Sequence, residues 1–441
     1  MATIHYARVD EFWRKQQKYD FLEQHEHMGN VDWQVIAPDK HHLWLTEGMH
    51  DEFETFMAMG TKQAKSNLDQ QVIFQTFSSG VKTSRDSWVY NFRHDDVSKN
   101  IQNLIHVYNE QLFRWQRLAA KPQVDEFVAI DTKQIDWSAG LKDYLRREIK
   151  ISFTTSNLRR SVYRPFTKLY LYFDKHLDER RYQFPIIFPT PDMDGKNQII
   201  CVSGLGHDIF QCLASDHIAE YKFSNAANGG SQCFPFYTYA EDGSNRRENI
   251  TDWALEQFCA HYPQAPITKW DIFHYVYALL HHPEYRSKYA ANLRRELPRI
   301  PFVQDFWGFA QAGAQLAELH VHYEKQPQYR LNFIENADKP LNWRVERMKL
   351  SKDKRSLIYN DFLTLDGIPP QVFEYKLGNR SALDWIVDQY QVSVDTRSGI
   401  TNDPNNADDP QAIVRLIGQV ITVSLATVQL VNGLPPLVVL E

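Results

Sequence analysis

The most apolar stretch of the sequence, 412–431, limits what this chain can fold into. It carries Arg415, Gln419, Ser424 and Gln429, which argues against a membrane span. Its apolar residues recur at helical spacing, at Ile413, Leu416, Ile417, Val420 and Ile421. The pattern therefore predicts a buried helix. A chain of 441 residues can bury the large core that such a helix requires.

The remaining pattern mixes helices and strands without regular βαβ alternation. Amphipathic spacing predicts a helix at 96–117, and a run of helices is predicted between 250 and 325. Aromatic-rich strands are predicted at 72–77, 87–92, 169–173 and 181–188. The fold class expected is α+β, with mixed, mostly antiparallel sheets and a helical subdomain.

Cysteine usage and the N-terminus bear on the cellular compartment. The four cysteines show no C-x-x-C spacing, so a zinc ribbon is not expected, and so few in a long chain favour a reducing, cytoplasmic setting. The first residues, MATIHYARVDEFWRK, contain no apolar signal-peptide core. No metal and no cofactor are predicted, because the scattered histidines lack companion ligands and neither a P-loop nor G-x-G-x-x-G occurs.

Positive charge is concentrated in one aromatic-rich segment. The formal net charge is −6, yet residues 141–190 hold eleven Lys and Arg against five Asp and Glu. Arginine and lysine bind phosphate and guanine edges, and glutamine can read adenine. The candidate DNA-binding residues here are Arg164, Lys168, Arg180, Arg181 and Gln183. The alternative is that these side chains only solvate strand and helix faces.

A polar loop, Gly80–Asp86, lies between two of the predicted strands. Rigid strands would hold it outward, where binding residues concentrate. Lys82 is a candidate for contact with DNA, and Arg85 could reach a guanine edge. The alternative is that Arg85 pairs with Asp86 or caps a strand end.

One pattern suggests an enzyme. Asp366 followed by Glu374-Tyr-Lys376, on a predicted strand, is similar to the D…ExK arrangement of metal-dependent nucleases. In such sites two carboxylates hold a divalent ion and the lysine helps to activate water. An E-x-K triplet also arises by chance, and a charge pair on an edge strand is the alternative.

A family resemblance is carried by long phrases that occur in order over residues 3–436. They include Leu45-Thr-Glu-Gly-x-His-Asp-Glu-Phe53, Gly80-Val-x-Thr-x-Arg-Asp-x-Trp-Val-Tyr-Asn-Phe92, Tyr163-Arg-Pro-Phe-x-Lys168, Gln232-Cys-Phe-Pro235, Arg295-Glu-Leu-Pro-Arg-Ile-Pro-Phe302 and Glu374-Tyr-Lys-Leu-Gly-x-Arg-Ser-Ala-Leu-Asp-Trp385. These phrases resemble the C-terminal part of the Type ISP restriction–modification enzymes. Lys376 and Arg380, in the last phrase, complete the predicted DNA-binding set.

The resemblance implies an architecture. Such enzymes carry a nuclease, a helicase-like ATPase, a coupling region, an adenine-N6 methyltransferase and a target recognition domain, in that order. Residues 1–138 would hold the end of the methyltransferase and the start of the recognition region, and residues 139–441 the main recognition domain. The chain lacks the N-P-P-Y motif of the methyltransferase, since Ile368-Pro-Pro-Gln does not match it. The chain alone is therefore expected not to be an enzyme.

The resemblance also implies a function. The chain would recognise a short duplex DNA sequence and position an adenine for a methyltransferase domain that it lacks. Its partners would be duplex DNA and the methyltransferase and ATPase or nuclease domains of a parent enzyme or a separate subunit. The alternatives are a non-catalytic interaction or decoy protein and, third, the metal-dependent nuclease.

Overall fold

A computed structural model describes residues 3–10, 13–39, 42, 44–67, 69–128, 131–206, 209–223 and 230–440. The chain divides into two compact units, the first ending at His50 and the second beginning at Asp51. The second unit holds most of the elements. Apolar residues from both sides of the predicted 138/139 boundary, such as Leu112 and Leu141, share one cluster within it. The assignment of 1–138 and 139–441 to separate domains stays a prediction.

The described residues form thirteen α-helices: α1 (Lys15–His25), α2 (Asp86–Val89), α3 (His94–Gln116), α4 (Val124–Phe127), α5 (Ala139–Arg146), α6 (Phe184–Ile187), α7 (Asp252–His261), α8 (Lys269–Leu279), α9 (Pro283–Lys288), α10 (Ala290–Arg295), α11 (Phe306–Val321), α12 (Ala382–Gln389) and α13 (Ala412–Asn432).

The strands are short: β1 (Ile4–Tyr6), β2 (Gln34–Ile36), β3 (Met57–Ala58), β4 (Ser78–Ser79), β5 (Tyr90–Asn91), β6 (Leu158–Arg164), β7 (Thr167–Tyr172), β8 (Ile199–Val202), β9 (Cys212–Ser215), β10 (Ile218–Ala219), β11 (Gln232–Pro235), β12 (Tyr237–Thr238), β13 (Arg247–Glu248), β14 (Arg299–Ile300), β15 (Asn332–Glu335), β16 (Lys349–Leu350), β17 (Ser356–Ile358), β18 (Leu363–Asp366), β19 (Lys376–Leu377), β20 (Arg380–Ser381), β21 (Ser393–Val394) and β22 (Thr401–Asn402).

Three four-stranded sheets organise the second unit. Their strand orders are β10-β6-β7-β5, β4-β11-β8-β9 and β15-β18-β17-β16. Within these sheets only β10 and β6 pair in parallel; the other described strand pairs are antiparallel. The predicted α+β class with mostly antiparallel sheets is therefore confirmed.

The second of these sheets is buried on both faces. Along β8, Ile199 and Cys201 contribute to one apolar cluster, whereas Ile200 and Val202 contribute to the other. Successive side chains of a strand point to opposite faces, so this alternation means that a core lies on each side of the sheet. The second core contains the predicted helical part, from Ile250 to Val321.

The predicted buried helix is α13. By length and composition it could cross a membrane, with a mean hydropathy of 1.6 over 18 residues. Its predicted apolar stripe is buried in the protein, however, and Ile417, Val420 and Ile421 have no exposed surface. The amphipathic helix predicted at 96–117 is likewise confirmed as α3, which buries Tyr108 and Trp115.

Three of the four predicted aromatic-rich strands are wrong. Residues 72–77 form only an isolated bridge, from Phe74 to Ile250, and the predicted strand 87–92 is mostly the helix α2 followed by the two-residue β5. The predicted strand 181–188 contains the short helix α6, which has proline at its start. Proline fits the first turn of a helix because it has no N–H to donate, whereas a strand interior needs that donor.

The contact between α8 and α11 depends on a glycine, and it yields a test of the fold. A Cβ on Gly313 would lie 1.9 Å from the carbonyl oxygen of His274. Replacing glycine by alanine inside a helix ordinarily stabilises it, but here the helices would have to separate. We therefore expect Gly313→Ala to lower the free energy of unfolding by about 1–3 kcal/mol, measured by denaturant titration.

Gln315→Ala, at an exposed position of the same helix, is the matched control and should leave the stability nearly unchanged. A stabilised Gly313→Ala variant would show that this helix contact is not as close as the structure has it.

Candidate nucleic-acid interface

Two of the predicted DNA-binding residues, Lys82 and Arg180, lie directly opposite each other. Their backbones exchange two hydrogen bonds, Lys82 N to Arg180 O at 2.8 Å and Arg180 N to Lys82 O at 2.9 Å. Both side chains are exposed, and neither forms an ion pair with any carboxylate in the described parts of the chain. Two unpaired cations on a rigid backbone bridge form a site that attracts an anionic ligand.

The segment 78–82 positions this bridge. Ser78 and Ser79 pair with β11, Val81 N donates to Ala219 O, and Tyr221 N donates to Val81 O. Gly80 lies between these contacts, and a Cβ there would be 2.3 Å from the carbonyl oxygen of Glu220. Only glycine allows the two backbones to approach this closely.

Polar and aromatic side chains border the two cations. Gln183 N donates to Ser78 Oγ at 3.0 Å, and Gln232 Nε2 donates to Ser79 Oγ at 3.1 Å. Gln183 had been predicted from the sequence, whereas Gln232, Ser79 and the exposed Lys222 had not. For Gln232, the signal that could have indicated it is the family phrase that begins at this residue. We call the group Ser79, Lys82, Arg180, Tyr182, Gln183, Lys222 and Gln232 the Lys82–Arg180 surface.

Arg181 points into a concave part of the protein surface. Its guanidinium carbon lies 5.1 Å from the centre of the Phe173 ring, and both residues line a cavity of about 230 Å³. Arg159, which lines the same cavity, is buried and held by Asp194, with Nε donating to Oδ2 at 2.7 Å. Among the described residues, Arg181 forms no ion pair and is attracted to a carboxylate only at longer range, by Asp178, whereas Arg159 is held by Asp194.

Arg164 and Lys168 each have a carboxylate partner. Arg164 Nη1 lies 2.6 Å from Glu220 Oε2, and Lys168 Nζ lies 3.0 Å from Glu324 Oε2. Burial raises the pKa of Glu220 to about 7, although the Arg164 guanidinium opposes that shift. These cations are partly neutralised in the folded protein.

The last two predicted residues lie at a separate hairpin, β19–β20. Lys376 is exposed, opposite Ser381, whereas Arg380 pairs with Asp388 at 2.7 Å and lies 5.0 Å from the Trp385 ring. The strand predicted for the nuclease pattern is wrong, because Glu374 ends a 3₁₀ helix, Pro370–Glu374. In the described ranges, no group of three or more His, Cys, Asp or Glu could hold a metal ion.

The prediction that the loop Gly80–Asp86 projects outward is wrong for Arg85, which is 2% exposed. Its guanidinium donates to Asp136 O at 3.3 Å, to Ser138 Oγ at 2.6 Å and to Leu177 O. Burial lowers the pKa of Arg85, opposed by the nearby carboxylates, chiefly that of Asp178. Arg85 holds the loop against the core because arginine can reach three acceptors at once.

Residues 72–416 match the family model of the Type ISP C-terminal specificity domain. The structure is similar to a nuclease-deletion mutant of the Type ISP restriction–modification enzyme LlaGI in complex with a DNA substrate mimic. The TM-score is 0.87 and the identity 32%, covering 100% of this chain and 40% of that one.

Two further solved structures are similar. A DrdV–DNA complex gives a TM-score of 0.87 and 32% identity, covering 98% of this chain and 43% of that one. The ATP-dependent Type ISP restriction–modification enzyme LlaBIII bound to DNA gives a TM-score of 0.86 and 29% identity, covering 99% of this chain and 28% of that one. This chain thus spans less than half the length of each. No curated protein matches it significantly.

The position of Arg85 leads to a prediction. We expect Arg85→Ala to lower the free energy of unfolding by about 2–4 kcal/mol, because the carbonyl oxygens of Leu177 and Asp136 lose their donor. Thermal and denaturant unfolding would measure the change. Lys82→Ala removes an equal charge at an exposed position three residues away and should unfold like the wild type. A stable Arg85→Ala protein with altered sequence preference would instead identify Arg85 as a base reader.

Proposed function

Because this chain belongs to the Type ISP restriction–modification family through its C-terminal specificity domain, we propose that it is a sequence-specific duplex DNA recognition module. The observation that carries the proposal is the Lys82–Arg180 bridge, which presents two cations without carboxylate partners among the described residues. The similarity to solved proteins in complex with DNA supports the choice of ligand.

The Lys82–Arg180 surface supplies the two kinds of contact that such recognition needs. Lys82, Arg180 and Lys222 bind backbone phosphates and fix the register of the duplex. Gln183 carries an amide that can donate to and accept from a base edge, as in the bidentate contact of glutamine with adenine. Gln232 Oε1 can accept from a base edge, whereas its Nε2 already donates to Ser79 Oγ and Gly230 O. Arg181 and Lys376 are additional candidates for phosphate contact.

Cations that already have a carboxylate partner contribute less. Arg164, Lys168 and Arg380 would have to exchange an ion pair for a phosphate contact, and the exchange returns little net attraction. We assign them to positioning the strands and helices around the surface.

The module acts within a longer assembly. We propose that it presents its target to an adenine methyltransferase, as the family resemblance implies, in the cytoplasm and with the methyltransferase and ATPase domains of a longer polypeptide as partners. The first unit supports this, because several of its large apolar side chains are exposed, among them Leu22 at 63%, Met28 at 76% and Val35 at 66%. Large apolar side chains exposed in this way are available to pack against another domain.

The assignment of phosphate contacts predicts a salt dependence. The logarithm of the binding constant falls with the logarithm of salt concentration, with a slope of about −0.9 for each neutralised phosphate. We therefore expect Lys82→Ala and Arg180→Ala each to reduce the magnitude of the slope by about 0.9. Fluorescence anisotropy with a duplex selected by the protein from a random pool measures it.

Arg117→Ala is the matched control, because Arg117 is an exposed arginine that lies over the Phe113 ring at the end of α3. Its slope should equal that of the wild type. Equal slopes for all three variants would remove the Lys82–Arg180 surface from the interface.

We expect no intrinsic catalysis by the chain alone. Incubation with duplex DNA, magnesium, ATP and S-adenosylmethionine should give no cleavage, ATP hydrolysis or methyl transfer, because the motifs that carry these reactions are absent from the sequence. Magnesium-dependent nicking that disappears in Lys376→Ala would establish the nuclease reading of Asp366, Glu374 and Lys376 instead.

A further inference from the structure

Tyr182 carries an exposed ring beside Arg180 in the Lys82–Arg180 surface. The residue is 44% exposed, and it follows Arg180 and Arg181 directly in the chain. Its ring stacks on that of Tyr221, with the centroids 6.2 Å apart and the planes inclined by 17°. The outer face of this pair is therefore a flat aromatic surface within a cationic region.

The backbone holds Tyr182 in an unusual conformation. Its φ is +48°, in the left-handed region that residues other than glycine rarely adopt. The Lys82–Arg180 bridge fixes the chain two residues before it, and the bond from Gln183 N to Ser78 Oγ fixes it one residue after. Phe184, which has no exposed surface, anchors the next position. Such over-determined strain is found at binding sites, where it pre-organises a side chain.

The supporting ring is also built into the structure. The backbone of Tyr221 is bonded to Val81 on one side and to Ser231 on the other. A Cβ on Gly230 would lie 2.1 Å from the Tyr221 ring, so glycine at this position makes room for the ring. Tyr221 therefore prevents Tyr182 from folding back onto the protein.

We propose that Tyr182 is a nucleobase-stacking residue, which inserts its ring at a locally unstacked base-pair step of the bound duplex. The proposal rests on the proposed DNA-recognition function and adds to it a contact made by a ring instead of a charge. Proteins that insert side chains in this way unstack a step and bend the duplex. Aromatic rings bind bases through their π-faces, which every base has, whereas adjacent cations hold the backbone.

Insertion of the ring would make binding depend on the DNA sequence without any contact to a base edge. Pyrimidine–purine steps unstack more readily than others, so a wedge prefers a flexible step at one position of the site. Gln183 and Gln232 could bind the edges of neighbouring bases, whereas the contact of Tyr182 would depend on how readily the base-pair step unstacks.

The test compares two substitutions at Tyr182 on the duplex that the wild-type chain selects from a random pool. Tyr182→Asn removes the ring but retains a residue that tolerates positive φ, and we expect it to bind about tenfold more weakly. Tyr182→Phe keeps the ring and should bind within about twofold of the wild type. Neither change removes a charge, so the salt slope should stay unchanged.

A second measurement isolates insertion. A single mismatch moved along the selected duplex lowers the cost of unstacking at one step. A mismatch at the step where the ring inserts should raise the affinity of the wild type and of Tyr182→Phe. It should raise the affinity of Tyr182→Asn less. The fluorescence of a 2-aminopurine placed beside that step should increase when the wild type or Tyr182→Phe binds. It should not increase when Tyr182→Asn binds.

Phe333→Ala is the control for loss of an exposed ring, because Phe333 is 47% exposed on β15; its affinity should match the wild type. The proposal is overturned if Tyr182→Asn binds like the wild type, or if Tyr182→Phe binds as weakly as Tyr182→Asn, which would indicate a hydroxyl contact. Wild-type protein that selects no duplex would overturn the proposed function and this inference together. Sequence-selective binding without any effect at Tyr182 would overturn the inference alone.

Discussion

Five residues, 78–82, join the two central sheets of the larger unit. Ser78 and Ser79 pair with β11 of one sheet, whereas Val81 bridges to Glu220 beside β10 of the other, and Lys82 bridges to Arg180. This crossing requires that Gly80 has no side chain, since a Cβ would overlap the carbonyl of Glu220. The positions of both cations, of Tyr182 and of Gln183 depend on this crossing. The surface is therefore held by backbone hydrogen bonds, which do not rearrange when a side chain changes.

The parts of the fold that were predictable from sequence are the long helices, in which the spacing of apolar residues repeats many times. α3 and α13 repeat their apolar residues over several turns, so that Trp115 and Ile417 could be assigned to the core. The strands were less predictable because most contain two to four residues, too few for alternation to emerge. β8 is buried on both faces, which removes the alternation of polarity altogether.

The candidate site was predictable in composition but not in geometry. Lys82 and Arg180 were both identified, yet nothing in the sequence indicated that residues 98 positions apart would bridge. Arg85 is the clearest example. A polar residue in a polar loop is expected to be exposed, whereas the Arg85 guanidinium donates to the backbone carbonyls of Asp136 and Leu177. Those acceptors are orphaned only by the tertiary fold, which the local sequence does not encode.

The acidic balance of the chain is compatible with binding an anionic polymer because most of the charge is paired. Six of the eleven cations in residues 141–190 form ion pairs: Lys142, Arg146, Arg147, Arg159, Arg164 and Lys168. Arg180 and Arg181 lie in the same segment without an ion pair in the described residues, although Asp178 attracts Arg181 at longer range. A cation paired with a carboxylate forms a dipole, whose field falls off with distance faster than the field of an unpaired cation. An approaching duplex is therefore attracted mainly by the unpaired cations. The net charge of −6 repels it from the remaining surface. The excess of carboxylates thus restricts where DNA can bind.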